Sequence, residues 1–197
     1  EAAGYAPRTG TPTACGVFAA SGIDGYLIHH LNGGALKTPL EPGLLFMTEV
    51  GSEKDYIATR VSFALNLHGP AIAVNTACSS GLVAVAQAAQ SIVAGACDMA
   101  IAGASSLTFP NTGYLWEENL VYSRDGHVKP FDQGAAGTVF GDSVGAVVLK
   151  VLDDAVEDGD NIVALLGGSS VTNDGGVKAG YTAPAASGQR AAIVAAQ

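Results

Sequence analysis

The sequence predicts an α/β protein with helices layered on a sheet, and three observations point there. Short apolar runs alternate along the chain with stretches whose apolar residues recur at helical spacing. Hydrophobic residues make up 48% of the 197 and charged residues only 14%, a balance that favours a buried core over disorder. The 26 glycines, set among many Ala and Val, suit backbone layers that approach closely.

Taken in order, residues 1–13 are turn-rich (Gly4, Pro7, Gly10, Pro12) and read as a loop or a cut end. Residues 15–20 read as a buried strand, 23–31 as a short helix, and 32–43 as turns around Gly33, Gly34, Pro39 and Pro42. Residues 52–67 predict a helix. Ser52 can cap it, Asp55 stands in its first turn, and Tyr56, Ile57, Val61, Ala64 and Leu65 recur at the right spacing before Gly69 and Pro70 stop it. Residues 71–76 then read as a strand. Residues 79–94 predict a helix that is apolar on all sides, which belongs in the middle of a fold.

Residues 98–102 read as a short inner strand, and 107–137 lack a period and read as a long functional loop with helical pieces. Residues 143–152 predict a Val-rich strand, 153–157 a short helix, 162–171 a further strand and 173–176 a turn. Residues 187–197 read as a helix that is cut off. No repeat or linker divides the chain.

The net charge of −9 with no Lys/Arg cluster argues against nucleic acid as a partner. Residues 81–104 are long and apolar enough to raise the question of a membrane span. Gln87, Gln90, Ser91 and Asp98 interrupt them, and Gly95 splits them into a helix and a strand, so no membrane is expected. The three cysteines, Cys15, Cys78 and Cys97, are odd in number and far apart. That argues against a disulfide framework or a zinc site and for a reducing, cytoplasmic compartment; no signal peptide is read at the start. Asp125, His127 and Asp132 are possible metal ligands by type, but Gly126 and Pro130 make the segment a turn, and no metal site is expected.

Chemistry concentrates at Val74-Asn-Thr-Ala-Cys-Ser-Ser-Gly81, where a strand runs into a tight turn and a helix begins. Cys78 sits on the turn, among small neighbours that leave room for a substrate. A helix start offers unpaired N–H groups and a positive dipole end, which favour the thiolate and can hold an oxyanion. The arrangement is like the nucleophile elbow of hydrolases without its G-x-S-x-G residues. Cys15 and Cys97 lie inside apolar runs and read as inert core residues.

Thr76-Ala-Cys-Ser-Ser80 resembles the active-site signature of β-ketoacyl synthases, above all those of modular polyketide synthases. Other blocks resemble the family in its order and spacing: Lys54 to Arg60, Asn66 to Pro70, Asp125 to Asp132, Gly137 to Gly141 with Val147 to Lys150, Asn173 to Gly175, and Gly180 to Pro184. Two of them, Asp125 to Asp132 and Gly180 to Pro184, lean towards polyketide and mixed polyketide/peptide synthases.

The resemblance implies a thiolase-like fold layered α/β/α/β/α, incomplete here, with residues 1–197 forming the central part of a ketosynthase domain. It implies a homodimer, with residues 98–102 helping to form the contact. It implies that Cys78 takes an acyl group from a phosphopantetheine thioester. A malonyl-type unit on an acyl carrier protein then loses carbon dioxide and attacks that thioester. No cofactor is bound directly. Thr182 would line the pantetheine tunnel, and Tyr114 and Trp116 either line the acyl channel or pack.

The family completes its site with a His-Gly-Thr-Gly-Thr motif, an Asn-x-Gly-His motif and a Gly-Phe-Gly segment, and none of these occurs in the sequence. His29, His30, His68 and His127 stand elsewhere, so none is assigned as a base and the chain alone is expected not to condense. Asn75 and Gly81 depart from the family's usual residues beside the nucleophile. The alternatives are a fatty-acid β-ketoacyl synthase, a non-catalytic partner of the family, and a thioesterase-like cysteine enzyme. The last would need a histidine partner within the chain.

Overall fold

A computed structural model describes residues 2–6, 14–31 and 42–197. The chain divides into two compact units. The first comprises Glu1–Ala20, Asp55–Ala104 and Ala146–Gln197, and the second Ser21–Lys54 and Ser105–Gly145.

The first unit holds most of a four-stranded sheet in the order β2-β1-β3-β4. β1 is Cys15–Ser21, β2 Ala71–Ala73, β3 Met99–Ser106 and β4 Ser143–Lys150. β1 and β2 run parallel, with Val17, Phe18 and Ala19 opposite Ala71, Ile72 and Ala73. The Asp98 N–H meets the Ala14 carbonyl at one end, and the Gly22 N–H meets the Ser105 carbonyl at the other, so β1 and β3 also run in the same direction.

Side chains alternate across a strand, and here the two faces carry different helices. Cys15, Val17, Ala19 and Met99 pack with Ala58 and Leu67, and with Ile57, Val61 and Leu65 of α2 (Ile57–Leu65). Phe18, Ala100 and Ala102 pack on the opposite face with Val83, Ala84 and Ala88 of α3 (Ser80–Val93). The result is three layers, helix on sheet on helix. The chain leaves β1 over one face to reach β2 on one side, then crosses the other face to reach β3 on the far side. β1 is therefore the switch point, and such sheets place their sites at the carboxyl ends of strands there.

α2 follows a 3₁₀ turn at Lys54–Tyr56 and ends with Asn66 in the left-handed region at φ 57°, a common helix stop. Ser52 does not cap it. That residue ends α1 (Pro42–Ser52), a helix whose presence the turn-like Pro42, Gly43 and Gly51 conceal in the sequence. Pro at the first helical position lacks only an N–H that would be unpaired anyway. The expected helix over 23–31 is a π-type turn at Leu27–Leu31, and most of the expected turn region 32–43 lies outside the described residues.

α3 is not apolar-packed all round, because Leu82 is 79% and Val93 89% exposed. β3 is longer than expected and lies inside the sheet, between β1 and β4. Residues 162–171 form no strand: Val163, Leu165 and Leu166 are exposed, and no described strand pairs with them. Composition alone does not make a strand when no neighbour completes its hydrogen bonds. α4 (Leu152–Glu157) and α5 (Ala186–Ala196) match expectation closely.

A polar knot ties distant parts of the first unit. The Lys150 ammonium donates to Asp158, to Asp160 at 2.9 Å and to the Tyr5 hydroxyl at 2.7 Å, and Tyr5 donates to Asp160 at 2.9 Å. These partners raise the Lys150 pKa against the opposing effect of desolvation, and Lys150 and Tyr5 lower that of Asp160.

The second unit is mainly irregular. Tyr114 stacks on Tyr122 at 4.6 Å and donates its hydroxyl to the carbonyl of the fully buried Ser123. No described helix is long and apolar enough to cross a membrane.

Candidate active site

The site begins where β2 ends. The Val74 N–H donates to the Ala19 carbonyl at 2.8 Å and carries the parallel pairing one residue past Ala73. Thr76 (φ −130°, ψ 36°) then leaves extended geometry, and Ala77 adopts φ 54° in the left-handed region. An L-residue there costs about 1–2 kcal/mol, and such strain gathers at functional sites. A single 3₁₀ turn, Ala77–Ser79, leads directly into α3. Cys78 rides on this turn and is exposed.

Hydroxyls hold the turn. The Thr76 N–H donates to Ser80 Oγ at 2.8 Å, and Ser80 Oγ donates to the Ala77 carbonyl at 2.7 Å. Ser79 Oγ lies 2.8 Å from the Thr76 carbonyl and 3.0 Å from Thr76 Oγ1. No acidic side chain stands in the first turn of α3, so nothing there opposes the helix's positive end. A Cβ added to Gly81 would sit 3.3 Å from the Ala104 methyl, so the glycine lets α3 close on β3. Sequence reasoning singled out Cys78 and left the effect of Gly81 open. It read Ser80 only as a small neighbour of Cys78, because residue type does not show which backbone groups a hydroxyl will reach.

Cys15 and Cys97 are buried, with Cys97 Sγ 3.5 Å from Ser91 Oγ. Burial, followed by the neighbouring Cys97, pushes the Cys15 thiol up to about 11. His29 and His30 stand beside Phe109 and are exposed. His68 lines a shallow depression with Thr59, Ser62, Phe63 and Asn66, and His127 turns its Nδ1 to the Asp125 carbonyl at 2.8 Å.

The Asp125 carboxylate is occupied by Lys129, Ser123 and the His127 N–H; the hydrogen bond from Lys129 contributes most to holding it well below the usual carboxylate range. Asp132 accepts from the Gly134 N–H at 2.6 Å. Among the described residues, no three His, Cys, Asp or Glu side chains form a metal set.

Thr182 stands on a separate turn, exposed, with the Ala183 N–H donating to the Gly180 carbonyl at 3.1 Å. Asp174 shapes the start of α5, because its carboxylate accepts the N–H of Ala185, the cap residue of that helix, at 3.1 Å. That contact spans 11 positions and has no local sequence signal. Tyr114 packs on Tyr122, and Trp116 lies under the Arg124 guanidinium at 5.2 Å.

A sheet whose strands β1, β2 and β3 run parallel, with helices on both faces, and an exposed cysteine at the carboxyl end beside its switch point, define a thiolase-like α/β protein with a cysteine elbow. The chain belongs to the β-ketoacyl synthase family, since residues 1–155 match the model of the β-ketoacyl synthase N-terminal domain. A phenolphthiocerol/phthiocerol polyketide synthase subunit of Mycobacterium tuberculosis is 48% identical over 86% of this chain and 12% of its own length. The hybrid PKS-NRPS synthetase TAS1 of Gloeophyllum trabeum is 48% identical over 68% of this chain and 9% of its own. Ketosynthase twelve of the bacillaene polyketide synthase from Bacillus amyloliquefaciens superposes with a TM-score of 0.84 at 32% identity, covering 98% of this chain and 33% of that one. This chain thus spans a minor part of each relative.

Proposed function

We propose that this chain is the nucleophile-bearing part of a polyketide synthase ketosynthase, and that Cys78 carries the acyl chain during decarboxylative Claisen condensation. Cys78 attacks the thioester of an acyl-phosphopantetheine, and the pantetheine thiol leaves with a proton. A malonyl-type extender on the acyl carrier protein then loses carbon dioxide. Its carbanion attacks the Cys78 thioester, forms the carbon–carbon bond and expels the cysteine thiolate. Thr182 contacts the pantetheine arm. The working form is a cytoplasmic homodimer that meets acyl carrier protein.

One observation carries the reading: Cys78 is exposed on a strained turn between β2 and the start of α3, while the other two cysteines are buried. The polyketide and hybrid synthases among the relatives favour polyketide over fatty-acid assembly.

The test is acylation by an acyl-pantetheine thioester, followed by intact mass spectrometry. The parent synthase gains one acyl group per ketosynthase, and Cys78→Ala gains none; equal labelling of the two ends the proposal. The 197 residues by themselves make no carbon–carbon bond above that control. They lack both histidine motifs, and one missing oxyanion donor already costs about 3 kcal/mol.

A further inference from the structure

We infer that Ser80 is a positioning residue for the Cys78 nucleophile, an inference that rests on the acyl-carrying role proposed for that cysteine. Residues 75–79 are all exposed, whereas Ser80 is 8% exposed and lies beneath them. Its single hydroxyl bridges two backbone groups just before Cys78 on the chain: it accepts the Thr76 N–H at 2.8 Å and donates at 2.7 Å to the Ala77 carbonyl, whose peptide leads into Cys78.

Between those two contacts lies Ala77 at φ 54°, a conformation its side chain disfavours. Left alone, Ala77 relaxes towards the right-handed region and rotates the peptide that leads into Cys78. The hydroxyl opposes that relaxation, because release would leave the Thr76 N–H without its partner. Ser80 touches no substrate in this arrangement. It acts through the direction in which the Cys78 sulfur points, so it governs the attack and not the binding of the acyl donor.

The test uses the parent synthase and single-turnover acylation of Cys78 by a short acyl-pantetheine thioester, read by intact mass over a range of donor concentrations. Ser80→Ala lowers the limiting acylation rate at least tenfold and leaves the half-saturating donor concentration within twofold. Ser80→Thr, which keeps a hydroxyl, recovers to within threefold of wild type. Where Ser80→Ala fails to fold, the pair Ser80→Thr and Ser80→Val decides. The two have the same shape and differ only in the hydroxyl, and Val is slower by the same factor at an equal melting temperature.

A limiting rate within twofold of wild type in Ser80→Ala, or in the Val member of the pair, overturns the inference while Cys78 acylation stands. A rise in half-saturation with an unchanged limiting rate also overturns it, because that places Ser80 in donor binding. Absence of acylation in the wild type fails the proposal for Cys78 itself, and this inference with it.

Discussion

The two ends of the parallel strands β1, β2 and β3 treat the same side chain in opposite ways. At the amino end, Cys15 opens β1 at 0% exposure, and Cys97 just ahead of β3 is 3% exposed. Glycines close this end: a Cβ on Gly69 would lie 2.5 Å from the Cys15 backbone, and one on Gly16 would lie 3.1 Å from Cys97 Sγ. At the carboxyl end, the chain beyond β2 turns through a strained alanine and presents Cys78 to solvent. A cysteine is a nucleophile or filler according to which end of the strands it occupies and what covers it.

The comparison can be broken in steps. The largest expected effect is in alkylation of the native protein by iodoacetamide. Cys78 reacts at least about 10³-fold faster than Cys15 or Cys97, which must wait for opening of the structure; peptide mapping over time gives the three rates. Next is Phe18→Ala, which removes a ring 2% exposed from the cluster that holds Cys97. It costs about 3–5 kcal/mol, measured by urea unfolding, and brings the Cys97 rate towards that of Cys78.

Gly69→Ala is milder, at about 1–3 kcal/mol, because the added methyl must displace the Cys15 backbone; the same unfolding experiment measures it. The smallest effect is confined to alkaline pH. The Cys15 thiol is raised from 9.0 to about 11, so folding favours its neutral form. The associated stability is fully present below about pH 9 and is lost as pH rises through about 11. Melting temperatures of wild type and Cys15→Ala across that range should therefore converge.

Much of the site was legible because its signals are local. A strand, a turn of small residues and a helix start within eight positions place Cys78 on an elbow without any tertiary knowledge, and the likeness of Thr76 to Ser80 to a family signature is what made it the candidate nucleophile. β1, β4, α4 and α5 were legible from local signals too. The misreadings have tertiary causes. Residues 162–171 have strand composition and no described strand beside them, and α3 is apolar all round yet buries only the face that meets the sheet. α1 was hidden by Pro42 and Gly51, which punctuate turns and helix ends alike. The roles of Asp174 and Ser80 escaped notice because they are hydrogen bonds to particular backbone groups, and residue type does not reveal which group a side chain will reach.

The knot around Lys150 has a consequence for biosynthesis. Tyr5 and Asp160 are separated by 155 positions, and Lys150 stands 145 positions from Tyr5. During translation the tyrosine leaves the ribosome long before its two partners exist. The Tyr5 ring can pack on the cluster of Cys15, Val17, Ala58 and Met99 earlier, but its hydroxyl waits for Lys150 and Asp160 until the stretch around position 160 has cleared the exit tunnel. Closing so long a loop is a late event in maturation, and a nascent chain released before that point lacks the fastener for its tyrosine.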